Sequence, residues 1–523
     1  MHRRFLLVGL ALALVAAGIS PAAASESAET TVRPVRSCAD LVRSYDVPDA
    51  RTRVASAVVV PATATDPEHC AVKGTIEPNI GFELKLPTTT YRGRYLQYGC
   101  GGFCGAVMFF GQVFPECGPA FGDAAVAATD DGHEAPPEYV FDTKWAANNQ
   151  QARDDYFFRA PHALSKVSKR IISVFYGAEP RKSYFSGCSN GGREALLLAQ
   201  RYPHDFDGII AGAPAFTYTG LIGYQAWLAR NVIPQDKIVL LHGAVMKACD
   251  GLDGLVDGQL EDPRLCKFDP GSLAGQLTPD EIERARRLYA GPADHGVRLY
   301  PGGQAYGSEL SWSSWIHPSP QFGEAIAAGL ADNALKHLVY PIGKPHSSLA
   351  TFEFTVREFR RLVPETVKAN AMSLDLREFR RSGGKLIIWH GAGDQAIPVE
   401  GTLDYWQRLT GGRTPDWARL FVVPSIWHCQ GGDTLTDFDP FKELVSWVEG
   451  GQAPHRVVAS GRDAAGNVVR TRPVFPYPLR AKYDGSGSVD DAANFVAAPG
   501  FGFSDRIRWA GEDLYHRPGP VAP

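Results

Sequence analysis

The sequence lacks an excess of charge of either sign and any fixed-period repeat. Lysine and arginine total 53 against 57 aspartates and glutamates, a net charge of −4 at pH 7, so binding to nucleic acid or to an anionic membrane is not expected. With 54 glycines and 38 prolines among 523 residues and 44% apolar content, the composition excludes collagen-like, coiled-coil and wholly disordered chains. The length allows about two to four structural units around a large core.

Long apolar runs are also missing, except at the N-terminus. Residues 5–19 are apolar, follow His2-Arg3-Arg4, and are followed by Pro21 and three alanines. This pattern predicts a cleavable secretory signal over residues 1–24 and a secreted or periplasmic protein. The run is too short to span a bilayer with margin, and no cysteine follows it to accept a lipid. A retained N-terminal anchor is the alternative.

No cysteine pair has zinc-finger spacing with companion histidines, so a structural zinc site is not expected. In an exported protein the cysteines favour disulfides instead. Their odd number leaves at least one free thiol or an intermolecular bond. The nine are Cys38, Cys70, Cys100, Cys104, Cys117, Cys188, Cys249, Cys266 and Cys429.

Short apolar segments alternate with helical patterns and predict an α/β fold built on a mainly parallel sheet covered on both faces. The predicted strands are residues 95–98, 124–129, 183–187, 208–211, 386–389 and 420–423, and the clearest helices are 193–202 and 441–449. The alternation stops between about 216 and 374, which is too long for one crossover connection. We therefore expect a core formed by residues 25–215 and 375–523, a lid domain at 216–374, and a loop-rich tail from residue 454.

Residues 187–191 read Gly-Cys-Ser-Asn-Gly and fit G-x-S-x-G between a predicted strand and a predicted helix. On such a sharp turn a serine projects its hydroxyl clear of the backbone, and the helix N-terminus faces the turn. The motif alone is weak, because about 0.3 matches are expected by chance in a chain of this composition. Its position makes Ser189 the candidate nucleophile.

A serine nucleophile needs a histidine base and a carboxylate, in the order Ser, Asp or Glu, His for this type of fold. Asp394 follows the predicted strand 386–389, and His428 follows the strand 420–423. Both the order and the placement agree with a triad. His133, His242 and His390 are rival bases.

Cysteines stand directly beside two of these residues: Cys188 precedes Ser189 and Cys429 follows His428. Adjacent Cα atoms lie about 3.8 Å apart, and a disulfide brings two Cα atoms to roughly 4.4–6.8 Å. A Cys188–Cys429 bond would therefore tether nucleophile to base. The alternative is two unrelated cysteines.

These elements resemble the tannase and feruloyl esterase family, which includes mono(2-hydroxyethyl) terephthalate hydrolases. The resemblance rests on Gly-Cys-Ser-Asn-Gly-Gly-Arg-Glu at 187–194, Gln-Arg-Tyr-Pro at 200–203 and Phe-Asp-Gly-Ile-Ile-Ala-Gly-Ala-Pro at 206–214, with the Asp and His-Cys elements in order. It implies an α/β-hydrolase core with a large inserted lid and a triad of Ser189, Asp394 and His428 bridged by Cys188–Cys429. Cys38 and Cys70 are also expected in disulfides.

The oxyanion hole should use the backbone N–H of Asn190 and one from the glycine turn at 99–103. By resemblance we favour Gly101, with Gly102 as the close alternative; the glycines could also serve only to form a tight turn. Cys100 and Cys104 are unusual in this turn, and one of them is a candidate partner for Cys117.

The loop at 249–259 carries Asp250, Asp253 and Asp257 among glycines. With the carbonyls of Leu255 and Gln259 they would form an oxygen cage that suits Ca²⁺, although the loop is not an EF-hand and such loops are usually only solvated. The resemblance implies a structural lid calcium here, with Cys249 bonded to Cys266. In contrast, the family's C-terminal cysteine pair is absent, with Phe475 and Ala497 at its positions.

The expected reaction is hydrolysis of a small aromatic ester through an acyl-enzyme, with feruloyl, other hydroxycinnamoyl or galloyl esters as the leading substrates by resemblance. The candidate aromatic clamp residues are Tyr218, Tyr224, Trp227, Trp312, Trp315, Phe352 and Phe354, several of which could instead form lid core. A terephthalate monoester would need a cation, for which Arg357, Arg360 and Arg361 are available. The alternatives of other classes are a serine peptidase and a non-catalytic secreted binding protein on a hydrolase fold.

Overall fold

The computed structural model describes residues 30–109, 122–135, 141–320 and 322–517. The predicted signal at 1–24 and Cys117 lie outside these residues. No helix in the described ranges is both long enough and apolar enough to cross a membrane.

The strands in the described part of the chain are β1 (Ser44–Tyr45), β2 (Thr52–Val60), β3 (His69–Ile76), β4 (Ile80–Pro87), β5 (Arg94–Tyr98), β6 (Ala124–Thr129), β7 (Lys182–Cys188), β8 (Gly208–Gly212), β9 (Ala293–Asp294), β10 (Val297–Arg298), β11 (Lys385–Gly391), β12 (Ala418–Val423), β13 (Val457–Arg462), β14 (Val468–Val474), β15 (Leu479–Tyr483) and β16 (Phe495–Pro499). The helices are α1 (Gln150–Asp154), α2 (Ala160–Tyr176), α3 (Asn190–Arg201), α4 (Tyr218–Arg230), α5 (Gln235–Cys249), α6 (Pro279–Ala290), α7 (Glu309–Ile316), α8 (Ile326–His337), α9 (Val356–Thr366), α10 (Arg377–Arg381), α11 (Val399–Thr410) and α12 (Phe441–Gly450).

A mixed ten-stranded sheet forms the centre, in the order β1-β2-β3-β4-β6-β5-β7-β8-β11-β12. The six strands β6, β5, β7, β8, β11 and β12 are parallel to one another. The strands β1 to β4 pair in antiparallel fashion, and β4 also pairs antiparallel with β6, which joins the two parts of the sheet. All six predicted strands are therefore found, and they are the six parallel ones. The α/β prediction is confirmed.

The parallel strands are buried because helices cover both faces of the sheet. All residues of β6 and β8 are buried, as expected for strands packed on two sides. On one face Leu164 and Ile171 of α2 pack with Phe185; on the other, Leu444 and Trp447 of α12 pack with Tyr184. The sheet thus presents the carboxyl ends of its parallel strands as a common edge.

The chain between β8 and β11 runs through α4 to α10, and among its described residues the only strands are the two-residue β9 and β10. Many of its apolar residues belong to two clusters beside the main core: Leu228, Leu241 and Trp312 to one, and Leu335 and Phe352 to another that also includes Tyr156. The expected interruption of the strand–helix alternation is thus visible in this segment.

The prediction of a loop-rich tail from residue 454 is wrong in part. Two antiparallel hairpins, β13–β14 and β15–β16, lie within it. Val457, Ala459 and Val474 of the first hairpin join the core on one sheet face. Short strands with many polar residues, such as β14, gave no clear alternating pattern.

Candidate active site

Ser189 stands on the turn between β7 and α3 with φ 62° and ψ −119°. This strained conformation is uncommon for a residue with a side chain and is typical of serine nucleophile turns. Three backbone hydrogen bonds hold it: the Ser189 N–H donates to the Gly212 carbonyl at 3.0 Å, and its carbonyl accepts from Arg193 and Ala215 at 3.0 Å each. The side chain is half-buried.

Glycines are required around this turn because three backbone segments meet there. A Cβ on Gly187 would lie 2.6 Å from the Gly191 backbone, and one on Gly99 would lie 2.6 Å from the Gly191 Cα. Real Cβ atoms do not approach so closely, so a larger residue at 187 would displace the start of α3, and one at 99 would push the turn after β5 away from it. Gly99 and Gly191 therefore set how closely the turn at 99–103 approaches the turn that carries Ser189.

Asp394 and His428 meet across the carboxyl ends of β11 and β12. The His428 Nδ1 lies 2.8 Å from Asp394 Oδ2, and the backbone N–H of His428 donates to Gln395 Oε1 at 3.0 Å. The other oxygen of Asp394 accepts N–H groups of Ala396 and Ile397, both at 2.8 Å. The imidazole thus has a fixed orientation, with Nδ1 turned toward the carboxylate.

Asp394 is 2% exposed. Burial alone would raise the pKa of this carboxyl, but His428 and His390 beside it hold the pKa below its ordinary value. The group is therefore a carboxylate that can stabilise a positive charge on His428.

A disulfide joins Cys188 to Cys429, with their Cα atoms 5.9 Å apart. Ser189 and His428 both line one cavity. The structure thus brings together the serine, the histidine and the carboxylate that the sequence singles out.

The rival histidines lie away from the serine. His390 is fully buried; its Nδ1 lies 2.8 Å from Thr402 Oγ1, and its Nε2 lies 2.9 Å from the Ile397 carbonyl and 3.2 Å from Asp394 Oδ2. His133 stacks on Trp145, and burial lowers its pKa to about 4. His242 lies 2.9 Å from Glu309 Oε2. None of the three lines the cavity that contains Ser189.

That cavity has a volume of about 440 Å³. Its walls are mostly apolar and aromatic, and among the described residues that line it there is no lysine or arginine. Its aromatic and long apolar lining residues include Phe103, Met108, Phe141, Tyr156, Tyr218, Trp315, Phe322 and Ile326.

Of the seven aromatic residues proposed from the sequence, only Tyr218 and Trp315 line the cavity. The others are packed elsewhere: Tyr224 and Trp312 are buried in a helical core, Trp227 packs edge-on against Phe354, and Phe352 contacts the same Phe354. Their assignment to an aromatic clamp is wrong. Sequence reasoning missed Phe141, Tyr156 and Phe322, for which no motif provides a signal.

Arg357, Arg360 and Arg361 lie on α9 and do not line the cavity. Each has an acidic partner outside it: Glu353 at 2.8 Å, Asp513 at 3.0 Å and Glu358 at 2.7 Å, respectively. They are therefore not placed to receive an anionic substrate in this pocket.

Asn190 and Gly101 both line the cavity beside Ser189, as does Gly102. Cys100 and Cys104 form a disulfide with each other, so neither is a partner for Cys117 and that suggestion is wrong. The spacing of four residues gave no reason to prefer this pairing. Two further disulfides join Cys38 to Cys70 and Cys249 to Cys266.

The acidic loop has donors suited to a hard cation, but its carboxylates do not converge. Asp250 accepts the Gly258 N–H at 3.1 Å, Asp253 accepts those of Leu255 and Glu261 at 3.0 Å, and Asp257 Oδ2 pairs with Arg472 at 2.6 Å. Burial raises the pKa of Asp253, and the nearby Asp257 and Asp250 add to the rise. In the described chain the three do not form a set with ligand atoms within 4.8 Å of one another.

Comparison with known proteins agrees with this geometry. The family profile "Tannase and feruloyl esterase" matches residues 63–498. The chain is 31% identical to the mono(2-hydroxyethyl) terephthalate hydrolase of Piscinibacter sakaiensis, covering 84% of this chain and 86% of that protein. It is also 31% identical to a probable feruloyl esterase of Arthroderma benhamiae, with 80% and 82% covered.

Solved structures give the same result. Feruloyl esterase B from Aspergillus oryzae superposes with a TM-score of 0.73 at 25% identity, covering 87% of this chain and 98% of that one. Tannin acyl hydrolase from Aspergillus niger, at 20% identity, has a TM-score of 0.67 over 91% and 94% of the two chains and shares the hydrolase fold with its large mixed sheet. The chain belongs to the tannase and feruloyl esterase family and is a carboxylic ester hydrolase.

Proposed function

We propose that this protein hydrolyses esters of aromatic carboxylic acids in which the acyl group carries no further charged group, with feruloyl, other hydroxycinnamoyl or galloyl esters as substrates. The observation that carries the proposal is the cavity that contains Ser189 and His428, whose described walls are mostly aromatic and apolar and carry no lysine or arginine. Flat aromatic acids match such walls, because ring contacts contribute beyond simple burial of area.

The proposed chemistry is acyl transfer through Ser189. Its Oγ attacks the ester carbonyl while His428 accepts the proton, and Asp394 stabilises the imidazolium that forms. The backbone N–H groups of Asn190 and Gly101 would stabilise the oxyanion. His428 then protonates the departing alcohol and later deprotonates the water that hydrolyses the acyl-enzyme.

Polar groups in the pocket could recognise ring hydroxyls of the acid. The hydroxyls of Tyr156 and Tyr218 lie 3.1 Å apart on the cavity wall. Burial raises the pKa of Tyr218 to about 12, so this hydroxyl stays neutral and can donate or accept a hydrogen bond. A phenolic hydroxyl of the acid would find hydrogen-bonding partners here.

A terephthalate monoester is the second candidate, favoured by the 31% identity to the hydrolase from Piscinibacter sakaiensis. Its free carboxylate would enter a low-dielectric pocket, and an unpaired charge is costly there. Because the described lining offers no cation, we expect this substrate to be processed much less efficiently than a neutral aromatic ester.

We further propose that residues 216–374 act as a lid over the catalytic edge, since Tyr218, Trp315, Phe322 and Ile326 of this segment line the cavity. We also propose export of the protein, which its four disulfides in the described chain support. A structural Ca²⁺ bound by Asp250, Asp253 and Asp257 with the carbonyls of Leu255 and Gln259 is proposed on donor chemistry. Binding would have to draw the carboxylates together and compete with Arg472 for Asp257.

A substrate panel tests the proposal. Wild-type protein and Ser189→Ala are incubated with ethyl ferulate, methyl gallate, mono(2-hydroxyethyl) terephthalate and a set of peptides, and kcat/KM is measured for each. We expect turnover of ethyl ferulate or methyl gallate by the wild type only, with circular dichroism showing that Ser189→Ala folds. Cleavage of peptides alone would indicate a peptidase. A higher kcat/KM for mono(2-hydroxyethyl) terephthalate would overturn the proposal that the acyl group carries no further charge. No turnover of any compound would favour a binding protein.

A further inference from the structure

The side chain of Asn190 is held from both ends. Its Oδ1 accepts a hydrogen bond from Arg193 Nε at 2.7 Å and lies 3.2 Å from the Tyr156 hydroxyl. Its Nδ2 donates to Glu194 Oε1 at 2.7 Å. The amide that follows Ser189 therefore belongs to a residue whose side chain has no freedom to rotate.

Glu194 is itself part of a buried acid pair. Glu194 and Asp131 are 1% and 0% exposed, and their oxygens lie within 4.8 Å of each other. One oxygen of each, Glu194 Oε2 and Asp131 Oδ1, has no hydrogen-bond partner among the described residues. Two carboxylates this close and this deep cannot both ionise.

Asp131 is the member of the pair expected to hold the proton. Burial raises the pKa of both groups, and the neighbouring Glu194 also raises that of Asp131. Arg193 opposes the rise for both, whereas Asp130 adds to it for Asp131. A protonated Asp131 can donate to the Glu194 carboxylate, which leaves Glu194 Oε1 as a strong acceptor for Asn190.

The same acids contact the turn after β5. Cys100 Sγ lies 3.0 Å from Glu194 Oε1, and Cys104 Sγ lies 3.3 Å from Asp131 Oδ2. The Cys100–Cys104 disulfide closes the turn that carries Gly101 and Gly102. The acid pair thus touches both backbone segments that would provide oxyanion N–H groups.

We propose that Glu194, paired with the buried Asp131, is a positioning residue of the oxyanion hole. It acts through the Asn190 amide and the disulfide-closed glycine turn and does not touch the substrate. The inference rests on the proposed function, because it assumes that the oxyanion forms beside Ser189. Since an oxyanion exists only in the transition state, loss of this positioning should lower kcat and leave KM nearly unchanged.

The test uses an ester that the wild type hydrolyses. We expect Glu194→Ala to lower kcat by about 10- to 100-fold, which is less than the loss of a whole oxyanion donor, with KM changed less than about twofold. Glu194→Gln keeps an oxygen acceptor for Asn190 Nδ2 and should restore most of the activity. Glu358→Ala removes a buried glutamate that pairs with Tyr340 and Arg361 outside the cavity and should leave kcat unchanged, as a control for general destabilisation.

Two readouts separate positioning from a structural role. A boronic acid that forms a tetrahedral adduct with Ser189 should bind Glu194→Ala more weakly by the same factor as kcat falls, while ferulic acid, the product, should bind equally well. The Asn190→Ala/Glu194→Ala double variant should lose clearly less activity than the product of the two single losses, since part of the effect of Glu194 passes through the Asn190 side chain. If Glu194→Ala is poorly folded, Asn190→Ala alone carries the test, because it removes the same contact with Glu194 Oε1 and should lower kcat at nearly unchanged KM.

Equal kcat values for Glu194→Ala and the wild type, or additive losses in the double variant, would overturn the inference while the proposed function stands. Absence of wild-type turnover on every aromatic ester would instead overturn the proposed function.

Discussion

The Cys188–Cys429 disulfide is expected to carry a large part of the stability of the active-site edge and to set the distance between serine and base. The perturbation is the double variant Cys188→Ala/Cys429→Ala, which removes the bond without leaving a free thiol. The two cysteines are 241 residues apart, and the chain-entropy relation gives about 5 kcal/mol for a loop of this length. The Cys249–Cys266 bond inside the loop shortens it by only 17 residues and changes the result by about 0.1 kcal/mol.

The assay is equilibrium urea unfolding under non-reducing conditions, followed by steady-state ester hydrolysis at low urea. We expect a large loss in the free energy of unfolding and a fall in kcat of about tenfold to a hundredfold, the size expected for a displacement of about 1 Å between reacting groups. Activity should not vanish, because His428 is also held by Asp394 and by Gln395.

The matched control is Cys38→Ala/Cys70→Ala. This bond spans 32 residues, and its cysteines do not line the cavity. Its removal should therefore lower the free energy of unfolding by about 2 kcal/mol less than removal of Cys188–Cys429 and should leave kcat unchanged. If removing Cys188 and Cys429 affects kcat no more than removing the control pair, the tether does not position the catalytic groups and that reasoning is refuted.

Three further predictions concern the carboxylates. Asp394→Asn should lower kcat by about 10⁴-fold at unchanged fold, because the wrong histidine tautomer is favoured, and a loss below about tenfold would contradict the role given to Asp394. Chelation of calcium should lower the melting temperature of the wild type but not of Asp250→Asn/Asp253→Asn; equal melting curves with and without chelator would argue against the metal. Burial raises the pKa of Asp130 to about 7 in the folded protein. The raised pKa therefore stabilises the folded protein fully at pH values below the pKa that Asp130 has in the unfolded chain, and this stabilisation is lost as the pH rises through about 7. Relative to Asp130→Asn, the wild type should therefore lose up to about 1.4 kcal/mol of unfolding free energy per pH unit between about pH 4 and 7, and parallel stability curves would contradict this.

Local pattern was sufficient to predict the parallel part of the sheet. The strands β6, β7 and β11 are short, apolar and bounded by glycine or charged residues, and each was expected within one or two residues of where it lies. The hairpin β13–β14 was not expected, because β14 is half-exposed and arginine-rich and its partner is chosen by tertiary contacts.

The candidate site likewise contains some residues that could be predicted from the sequence and others that could not. Ser189, Asp394 and His428 could be named because each follows a strand and the chemistry fixes their order. Phe141 and Phe322 could not, because no local pattern records which aromatic side chains of separate segments will meet around a cavity. The Cys100–Cys104 pairing and the Asp131–Glu194 contact likewise depend on how the turn after β5 packs against α3.

Trapping of the acyl-enzyme tests the central claim most directly. The protein is mixed rapidly with an aromatic ester that it hydrolyses, quenched with acid, digested without reduction and mapped by mass spectrometry. The account predicts the mass of the acyl group on the peptide that contains Ser189, and its absence in Ser189→Ala. An acyl group on another residue, or undiminished hydrolysis by Ser189→Ala, would contradict it.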